Sequence, residues 1–241
     1  MSLTVHCYLW REVGGRDYRP EHVATLARMV KRHLTAPHRF ICITDEPGDY
    51  GADVDVVPLP EEALALAEIR TPEGAQFPSS YRRLWSFSRE AAVLGERLLM
   101  LDVDCVITGD ITPLVERDDD FTGWRPRRAW GRDQKRLGGG TWLLRAGSKA
   151  QVWDTFRTDP MRAIQRAREA GHRGSDQAIL SWMLYDEQHI WPADCGIYAS
   201  QDMLRPSRHA VLPRDARIVH FNGHSKPWAC KRIPWVAEHY R

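Results

Sequence analysis

The apolar run that ends in two aspartates, LLMLDVDCVITGD (residues 98–110), constrains the fold more than any other part of the chain. Residues 97–107 are typical of a buried strand, in which a charged carboxylate is costly unless a partner stabilises it. Asp102 and Asp104 are separated by one residue, Val103, so no lysine or arginine lies between them. The segment therefore predicts a strand that brings two carboxylates to a common partner.

The order of strand-like and helix-like segments predicts the fold class. Short apolar runs alternate with segments of helical spacing, which is typical of a largely parallel sheet with helices on both faces. We therefore expect a single α/β domain over 1–241, divided at the aspartate strand into 1–107 and 108–241. Strands are predicted at 4–10, 39–45, 53–59, 97–107, 140–146 and 216–221, and helices at 19–34, 81–94 and 175–185.

Composition and charge exclude several classes of protein. The chain has 241 residues, 43% of them hydrophobic and 27% charged, which is enough for one substantial core. A net charge of +2 argues against bulk binding to nucleic acid, which normally requires a strong excess of basic residues. No apolar run approaches the ~20 residues that cross a bilayer, and the N-terminal MSLTVHCYLW lacks the pattern of a signal peptide.

The cysteines indicate the compartment. There are five, an odd number, and none forms a C-x-x-C pair or a zinc-binding spacing with histidine. This usage is typical of reduced structural thiols, so we expect a cytoplasmic protein.

The aspartate pair predicts a metal site. In a strand, side chains at positions i and i+2 point to the same face and lie roughly 6–7 Å apart. Ligands of open parallel sheets bind beyond the carboxyl ends of the strands. Oxygen ligands of this kind suit Mn²⁺ or Mg²⁺. Two alternatives are a solvated strand end and the D-x-D of haloacid-dehalogenase phosphatases. In those phosphatases the D-x-D ends the first strand of the fold, whereas here it lies more than a hundred residues into the chain.

A second motif, IVHFNGHSKPW (218–228), follows a predicted strand near the C-terminus. Its histidine, His220, is of a type that binds Mn²⁺. Lys226 supplies a compact charge for phosphate, and Gly223 lets a backbone N–H approach an anion closely. A metal site and a lysine together are what a diphosphate leaving group needs, since both stabilise the charge that develops on it.

The pattern H-x-x-G-x-x-K-P-W after a D-x-D strand resembles the retaining glycosyltransferases of family 8, which include glycogenin and bacterial lipopolysaccharide galactosyltransferases. The N-terminal half, from CYLW through ARMVKRHLTAPHRFICITDEP, resembles uncharacterised bacterial proteins of the same class. The resemblance implies a GT-A fold and a metal-dependent enzyme that transfers a hexose from a UDP-sugar to a hydroxyl of a saccharide or other acceptor, with retention. It also implies that 1–107 binds the nucleotide, and that 108–241 binds the donor sugar and the acceptor.

The resemblance also implies roles for individual residues. The implied metal ligands are Asp102, Asp104 and His220, with Mn²⁺ or Mg²⁺ as cofactor. The implied contacts of the nucleotide sugar are Leu9, Trp10 and Tyr18 at the uridine, Arg83 at the diphosphate or donor sugar, and Gly223 and Lys226 at the diphosphate. The implied catalytic pair beside the donor sugar is Asp176 and Gln177.

Several of these assignments have alternatives. Tyr18 is also compatible with an ordinary surface aromatic, and Arg82 competes with Arg83. Asp176, like Ser175, suits the N-cap of the helix that follows it. His224 is a second histidine on the His220 turn, and Trp228 is also compatible with packing alone.

The chain departs from the family pattern at LGGGTWLL (137–144), where three glycines replace an expected asparagine. The donor hexose is therefore left open. The preceding segment 124–136 carries six arginines or lysines and two tryptophans. It is compatible with a solvated loop, or with an acceptor-side loop in which Trp124 and Trp130 stack on sugars and the arginines meet an anionic acceptor. The tail 226–241 is compatible with contact to a membrane surface.

Two other functions compete with sugar transfer. A sugar-phosphate nucleotidyltransferase normally has a Gly-rich basic loop after its first strand, and REVGGRDYRP (11–20) only partly fits that pattern. A non-catalytic glycan-binding module is the second alternative, because the chain has ten tryptophans.

Overall fold

A computed structural model of the chain describes residues 2–10, 17–71, 80–130, 132, 134–203, 211–223 and 225–241. In these ranges, the strands are β1 (Leu3–Leu9), β2 (His38–Thr44), β3 (Asp55–Pro58), β4 (Arg97–Leu101), β5 (Cys105–Ile107), β6 (Phe121–Trp124), β7 (Gly138–Arg145), β8 (Ile197–Ala199) and β9 (Ile218–His220). The helices are α1 (Pro20–His33), α2 (Glu61–Leu64), α3 (Thr112–Val115), α4 (Arg127–Trp130), α5 (Gln151–Thr158), α6 (Pro160–Glu169), α7 (Asp176–Leu184), α8 (Ser200–Met203) and α9 (Pro234–His239).

Six of these strands form the central sheet, in the order β3-β2-β1-β4-β7-β6. The pairs among β3, β2, β1 and β4 are parallel, whereas β7 runs antiparallel to both β4 and β6. The sheet is therefore parallel except for β7, and the prediction of a mostly parallel α/β sheet is confirmed. The remaining three strands form a second sheet in the order β5-β9-β8.

Alternation along the central strands fills a core on each face of the sheet. Val5, Cys7 and Leu9 of β1 pack with α1 and the second sheet, whereas Tyr8 packs with the opposite cluster, which contains residues of α5, α6 and α7. Every residue of β4 is buried, as expected for a strand covered on both faces. The prediction of helices on both faces is confirmed.

The aspartate segment differs from the prediction of one continuous strand over 97–107. The chain leaves the central sheet after Leu101 and turns at 102–104, where the N–H of Cys105 donates to the carbonyl of Asp102 at 3.2 Å. It then enters the second sheet as β5, paired with β9. The prediction that strand alternation points both carboxylates to one face is therefore wrong. A turn between the two sheets orients the two side chains, and each carboxylate pairs with a different cation.

The predicted helix at 81–94 is also different in the structure. It consists of two 3₁₀ segments, Ser80–Phe87 and Glu90–Leu94. In the first segment all residues from Tyr81 to Phe87 are buried, so this segment lacks the solvent-exposed face that a surface helix presents. Across the described ranges, no helix is long and apolar enough to cross a membrane.

Leu99 lies at the centre of β4 and is fully buried, so Leu99→Ala is expected to lower the free energy of unfolding by about 2–5 kcal/mol through lost burial and a residual cavity. Val93→Ala, at a side chain that is 79% exposed, is the control and is expected to change it by less than about 0.5 kcal/mol. Urea unfolding followed by circular dichroism measures both. Equal losses in the two variants would contradict the central position of β4.

Candidate functional site

The residues singled out from the sequence meet at the carboxyl end of β4. The 102–104 turn lies there, beside the glycine-rich start of β7, the end of β9 at His220 and the first residue of α7, Asp176. This is the edge at which open α/β sheets bind ligands. The fold therefore brings together candidates that are more than a hundred positions apart in the chain.

Arg83 joins two of the predicted acidic residues. It is buried, and its Nη1 donates to Asp102 Oδ1 while its Nη2 donates to Asp176 Oδ1 at 2.9 Å. Burial by itself lowers the pKa of Arg83, but the charges of Asp102 and Asp176 outweigh it and raise the pKa above the ordinary value. Arg83 is therefore a permanent buried cation held between two carboxylates.

Asp104 has a second, separate set of partners. Its Oδ2 accepts from the Tyr18 hydroxyl at 2.7 Å and from the buried ammonium of Lys226. The ammonium also donates to the carbonyl of Phe221 at 3.1 Å and lies 5.1 Å from the centre of the Tyr18 ring. Tyr18 is therefore part of the site, and the alternative of an ordinary surface aromatic is not supported.

His220 is fully buried at the end of β9 and has one nitrogen engaged. Its Nε2 is 2.7 Å from Thr141 Oγ1, and its ring stacks on Trp124 with centroids 4.9 Å apart. Burial lowers the pKa of His220 despite the opposing charges of Asp102 and Asp104, which favours the neutral imidazole. Its Nδ1 is buried without a hydrogen-bond partner.

The three glycines of β7 each lie against a side chain of the site. A Cβ on Gly138 would clash with the Trp124 ring, and one on Gly139 would lie 3.0 Å from Arg83 Nη2 and 3.3 Å from Asp176 Oδ2. A Cβ on Gly140 would lie 2.8 Å from both Asp102 Oδ2 and His220 Nδ1. The glycine run is therefore a close approach of backbone to functional side chains, not a plain turn.

Two of the three predicted donor atoms are of a type that binds a divalent cation, and they lie near each other, since Asp102 Oδ2 and His220 Nδ1 are each 2.8 Å from the place that a Cβ on Gly140 would occupy. Asp102 uses Oδ1 for Arg83 and turns Oδ2 to the same small space that His220 Nδ1 faces. With Nε2–H donating to Thr141, Nδ1 would present its lone pair, the arrangement usual for a metal-binding histidine. Within the part of the chain that the structure describes, no three His, Cys, Asp or Glu side chains are already gathered as a metal site, and Asp104 is turned to Lys226.

A cavity of about 370 Å³ opens beside this arrangement. Arg83, Asp102 and Gln177 line it, together with the three glycines. Asp176 does not, because it is 1% exposed and lies behind Arg83. Ser175 makes no side-chain capping bond to the helix and instead donates to Asp176 Oδ1 at 2.9 Å. Of the predicted catalytic pair, Gln177 faces the cavity and Asp176 orients Arg83.

The predicted uridine-binding residues lie at the end of β1. Leu9 is buried as the last residue of the strand, and Trp10 follows it with the guanidinium of Arg82 4.9 Å above its ring. The guanidinium of Arg82 thus lies over the Trp10 ring, whereas that of Arg83 reaches the two aspartates. Gly223 has a φ of 102°, a conformation that glycine adopts without strain.

The other sequence hypotheses have mixed outcomes. Trp228 stacks on His22 at 3.8 Å, and Trp235 is buried, so these tail tryptophans pack inward and do not form a membrane-facing surface. Of the nine tryptophans whose side chains the structure describes, six are buried, which does not favour a surface built for glycan binding. His224 and the segment 11–16, part of the nucleotidyltransferase comparison, lie outside the described residues.

Three contributions were not predicted from the sequence. Thr141 bonds His220, Trp124 stacks on the same ring instead of standing free for a sugar, and Gln201 lines the cavity while donating to the carbonyl of Asn222 at 2.8 Å. A threonine inside an apolar strand and a glutamine within a short helix carry no local signal of such roles. Only the pairing of distant strands reveals them.

Solved structures of glycosyltransferases share this architecture. The galactosyltransferase LgtC, in complex with donor and acceptor sugar analogues, matches with a TM-score of 0.66 and 16% identity over 98% of this chain and 96% of LgtC. An active-site mutant of LgtC matches with a TM-score of 0.64 and 17% identity, over 98% and 93% of the two chains. GlyE of Streptococcus pneumoniae TIGR4 matches with a TM-score of 0.59 and 18% identity, over 95% of this chain and 56% of GlyE.

The chain has a GT-A fold. The resemblance to the family 8 glycosyltransferases is confirmed at the level of this fold, which positions the candidate site at the carboxyl edge of the GT-A sheet. At these identities the similarity establishes architecture, and the chemistry depends on the residues of the site. No protein-family model matches the chain, and no curated protein matches it by sequence.

Arg83→Gln is expected to destabilise the protein by about 3 kcal/mol or more, because it leaves the carboxylates of Asp102 and Asp176 without their shared cation. Arg89→Gln is the matched control, since Arg89 is 73% exposed and pairs with Asp154 at the surface, where a pair contributes less than about 1 kcal/mol. Chemical denaturation of both variants gives the comparison. A loss no larger in Arg83→Gln than in Arg89→Gln would show that the buried network does not stabilise the fold.

Proposed function

We propose that this protein is a metal-dependent glycosyltransferase that moves a hexose from a UDP-sugar to a hydroxyl of a saccharide or other acceptor, with retention at the anomeric carbon. The structural similarity to LgtC supports sugar transfer as the reaction class. The observation that carries the proposal is the convergence of Asp102 Oδ2 and the unpartnered Nδ1 of His220 on one space beside a cavity.

The residues that would hold Mn²⁺ or Mg²⁺ are Asp102, Asp104 and His220. A divalent cation bound there supplies Lewis-acid stabilisation of a departing diphosphate. Thr141 fixes the imidazole through Nε2, and Arg83 fixes the carboxylate through Oδ1. The protein thereby sets the direction of both donor atoms before any ligand arrives, which lowers the cost of assembling the site.

Lys226 is the proposed partner of the diphosphate. Its ammonium is buried against Asp104 and the carbonyl of Phe221, so it is held in place by two acceptors at the site. A positive charge fixed where negative charge develops stabilises the transition state without reorganisation. Gly223, which has a φ of 102°, is the proposed backbone contact of the diphosphate, and Leu9, Trp10 and Tyr18 are the proposed contacts of the nucleoside.

Gln177 is the proposed contact of the donor sugar, because its side chain lines the cavity. Asp176 is the positioning residue: its carboxylate fixes Arg83, which lines the same cavity. The acceptor hydroxyl attacks on the face that the diphosphate leaves, and a phosphate oxygen takes its proton. The proposal therefore needs no protein nucleophile and no strong general base.

The proposal extends to organisation and compartment. Residues 1–107 provide the nucleotide side, and 108–241 provide the donor-sugar and acceptor side of a single domain. The five cysteines are all free thiols, which supports a reducing compartment and hence a cytoplasmic protein.

Thermal unfolding with UDP tests the proposal first. At about 100 times its dissociation constant a ligand adds about 2.7 kcal/mol, which raises the Tm by roughly 5–10 °C for a chain of this length. The increase is expected with UDP and Mn²⁺ together, and it is expected to disappear with a chelator. An equal increase with the chelator present would remove the metal from the proposal.

Asp104→Asn and His220→Ala are expected to abolish the Mn²⁺-dependent part of this increase, because each removes a proposed ligand. Asp154→Ala and His38→Ala, away from the site, are the matched controls and are expected to keep it. The Tm without ligand shows whether each variant is folded. A full Mn²⁺-dependent increase in folded Asp104→Asn or His220→Ala would overturn the ligand assignment.

Product analysis separates sugar transfer from the alternatives. Incubation with UDP-hexoses and a saccharide acceptor is expected to give UDP and a glycoside of retained configuration, which proton NMR identifies. Release of pyrophosphate from UTP and a hexose phosphate would indicate the nucleotidyltransferase instead. Glycan binding without affinity for UDP or any other nucleotide would indicate the binding module.

A further inference from the structure

The cavity beside the candidate site has a strong excess of positive charge. Four arginines and one aspartate line it, and the rest of its lining is uncharged. Arg83 and Asp102 pair with each other, so they leave little net charge. The excess comes from Arg128, Arg132 and Arg136, which all belong to the basic segment 124–136.

The arginines of this segment fall into two groups. Arg125 is buried and donates to the carbonyl of Ala129, and Arg127 donates to the Tyr198 hydroxyl at 2.7 Å while lying 4.3 Å from the centre of its ring. Arg125 also lies 5.7 Å from the centre of the Tyr185 ring, and Arg128 donates to Gln201 Oε1 at 3.3 Å, so all three arginines of this first group contact residues outside the segment. Arg132 and Arg136 have no ion-pair partner among the residues that the structure describes, and both are exposed at the cavity.

Arg128, Arg132 and Arg136 line a cavity that most of the proposed nucleotide contacts do not line. The cavity lining does not include Leu9, Trp10, Tyr18 or Lys226, the proposed contacts of the nucleoside and diphosphate, although it does include Arg83 and the proposed metal ligand Asp102. Gln177, Asp102 and the three glycines do line it. The arginines therefore share a cavity with the proposed donor-sugar contact, and the proposed nucleoside contacts and Lys226 lie outside that cavity.

We propose that Arg132 and Arg136 select an anionic acceptor, a hydroxyl compound that carries a phosphate or carboxylate close to the accepting hydroxyl. This inference rests on the proposed function. Guanidinium groups bind both anions through paired N–H donors, and they keep their charge at any physiological pH. The volume of about 370 Å³ is within the range of small-molecule sites, so an acceptor group fits beside a donor sugar.

Three hexoses that differ at one carbon test the inference: glucose 6-phosphate, glucuronic acid and glucose. Each is titrated into the protein with saturating UDP and Mn²⁺, so that a phosphate probe cannot enter the diphosphate site, and binding is followed by saturation-transfer NMR. We expect one or both anionic hexoses to bind about tenfold more tightly than glucose. The stronger of the two identifies the anion as a phosphate or a carboxylate.

Arg132→Gln and Arg136→Gln are each expected to weaken the anionic hexose about tenfold and to leave glucose unchanged. Arg166→Gln, at an exposed arginine on α6 away from the cavity, is the matched control and is expected to change neither. UDP binding in the presence of Mn²⁺ is expected to be unchanged in all three variants. The substituted side chains are exposed, so folding is expected to be preserved, and the Tm of each variant verifies this.

The outcomes separate failure of this inference from failure of the proposed function. Equal affinity for the three hexoses, or no binding of any, overturns the anionic acceptor. Loss of UDP binding in Arg132→Gln or Arg136→Gln also overturns it, because the arginines would then serve the donor. If UDP does not bind the unaltered protein, the proposed function fails, and the same three titrations without UDP still decide whether the cavity selects an anion.

Discussion

The site depends on the pairing of buried charges. Asp102 and Asp176 share Arg83, and Asp104 holds Lys226, so the acidic groups beneath the cavity are compensated by cations from distant parts of the chain. A carboxylate buried without such a partner would be strongly destabilising. The same pairing fixes where each oxygen points, because the Oδ1 that meets Arg83 directs the other oxygen of Asp102 to His220. The ion pairs that compensate the buried charges thus also fix the orientation of the carboxylates.

Close approach of backbone to side chains makes this arrangement compact. β7 passes the site as three glycines, and each lies where a Cβ would press on Trp124, Arg83 or the pair formed by Asp102 and His220. The asparagine expected from family resemblance would need space that these side chains occupy. The glycines therefore bring the backbone close to these side chains, and amide groups at the cavity come from elsewhere, from Gln134, Gln177, Gln201 and Asn222.

The charges around the cavity divide into two layers with different chemistry. The inner layer consists of Arg83 between the carboxylates of Asp102 and Asp176, so its charges are paired. The outer layer consists of arginines on the segment 124–136, of which Arg132 and Arg136 keep their charge available. The cavity thus combines a paired, buried arginine with two exposed arginines that have no ion-pair partner among the described residues.

Local periodicity and short motifs were enough to predict the α/β class, the mostly parallel sheet and most of the site candidates. They could not determine that the aspartate strand breaks between two sheets, that Arg83 rather than Arg82 reaches the carboxylates, or that Asp176 lies behind the cavity while Gln177 faces it. Each of these depends on contacts between segments distant in the chain, such as β4 with β7 and β5 with β9. Only the tertiary structure decides them, since local patterns specify faces and turns but not which distant group neutralises a buried charge.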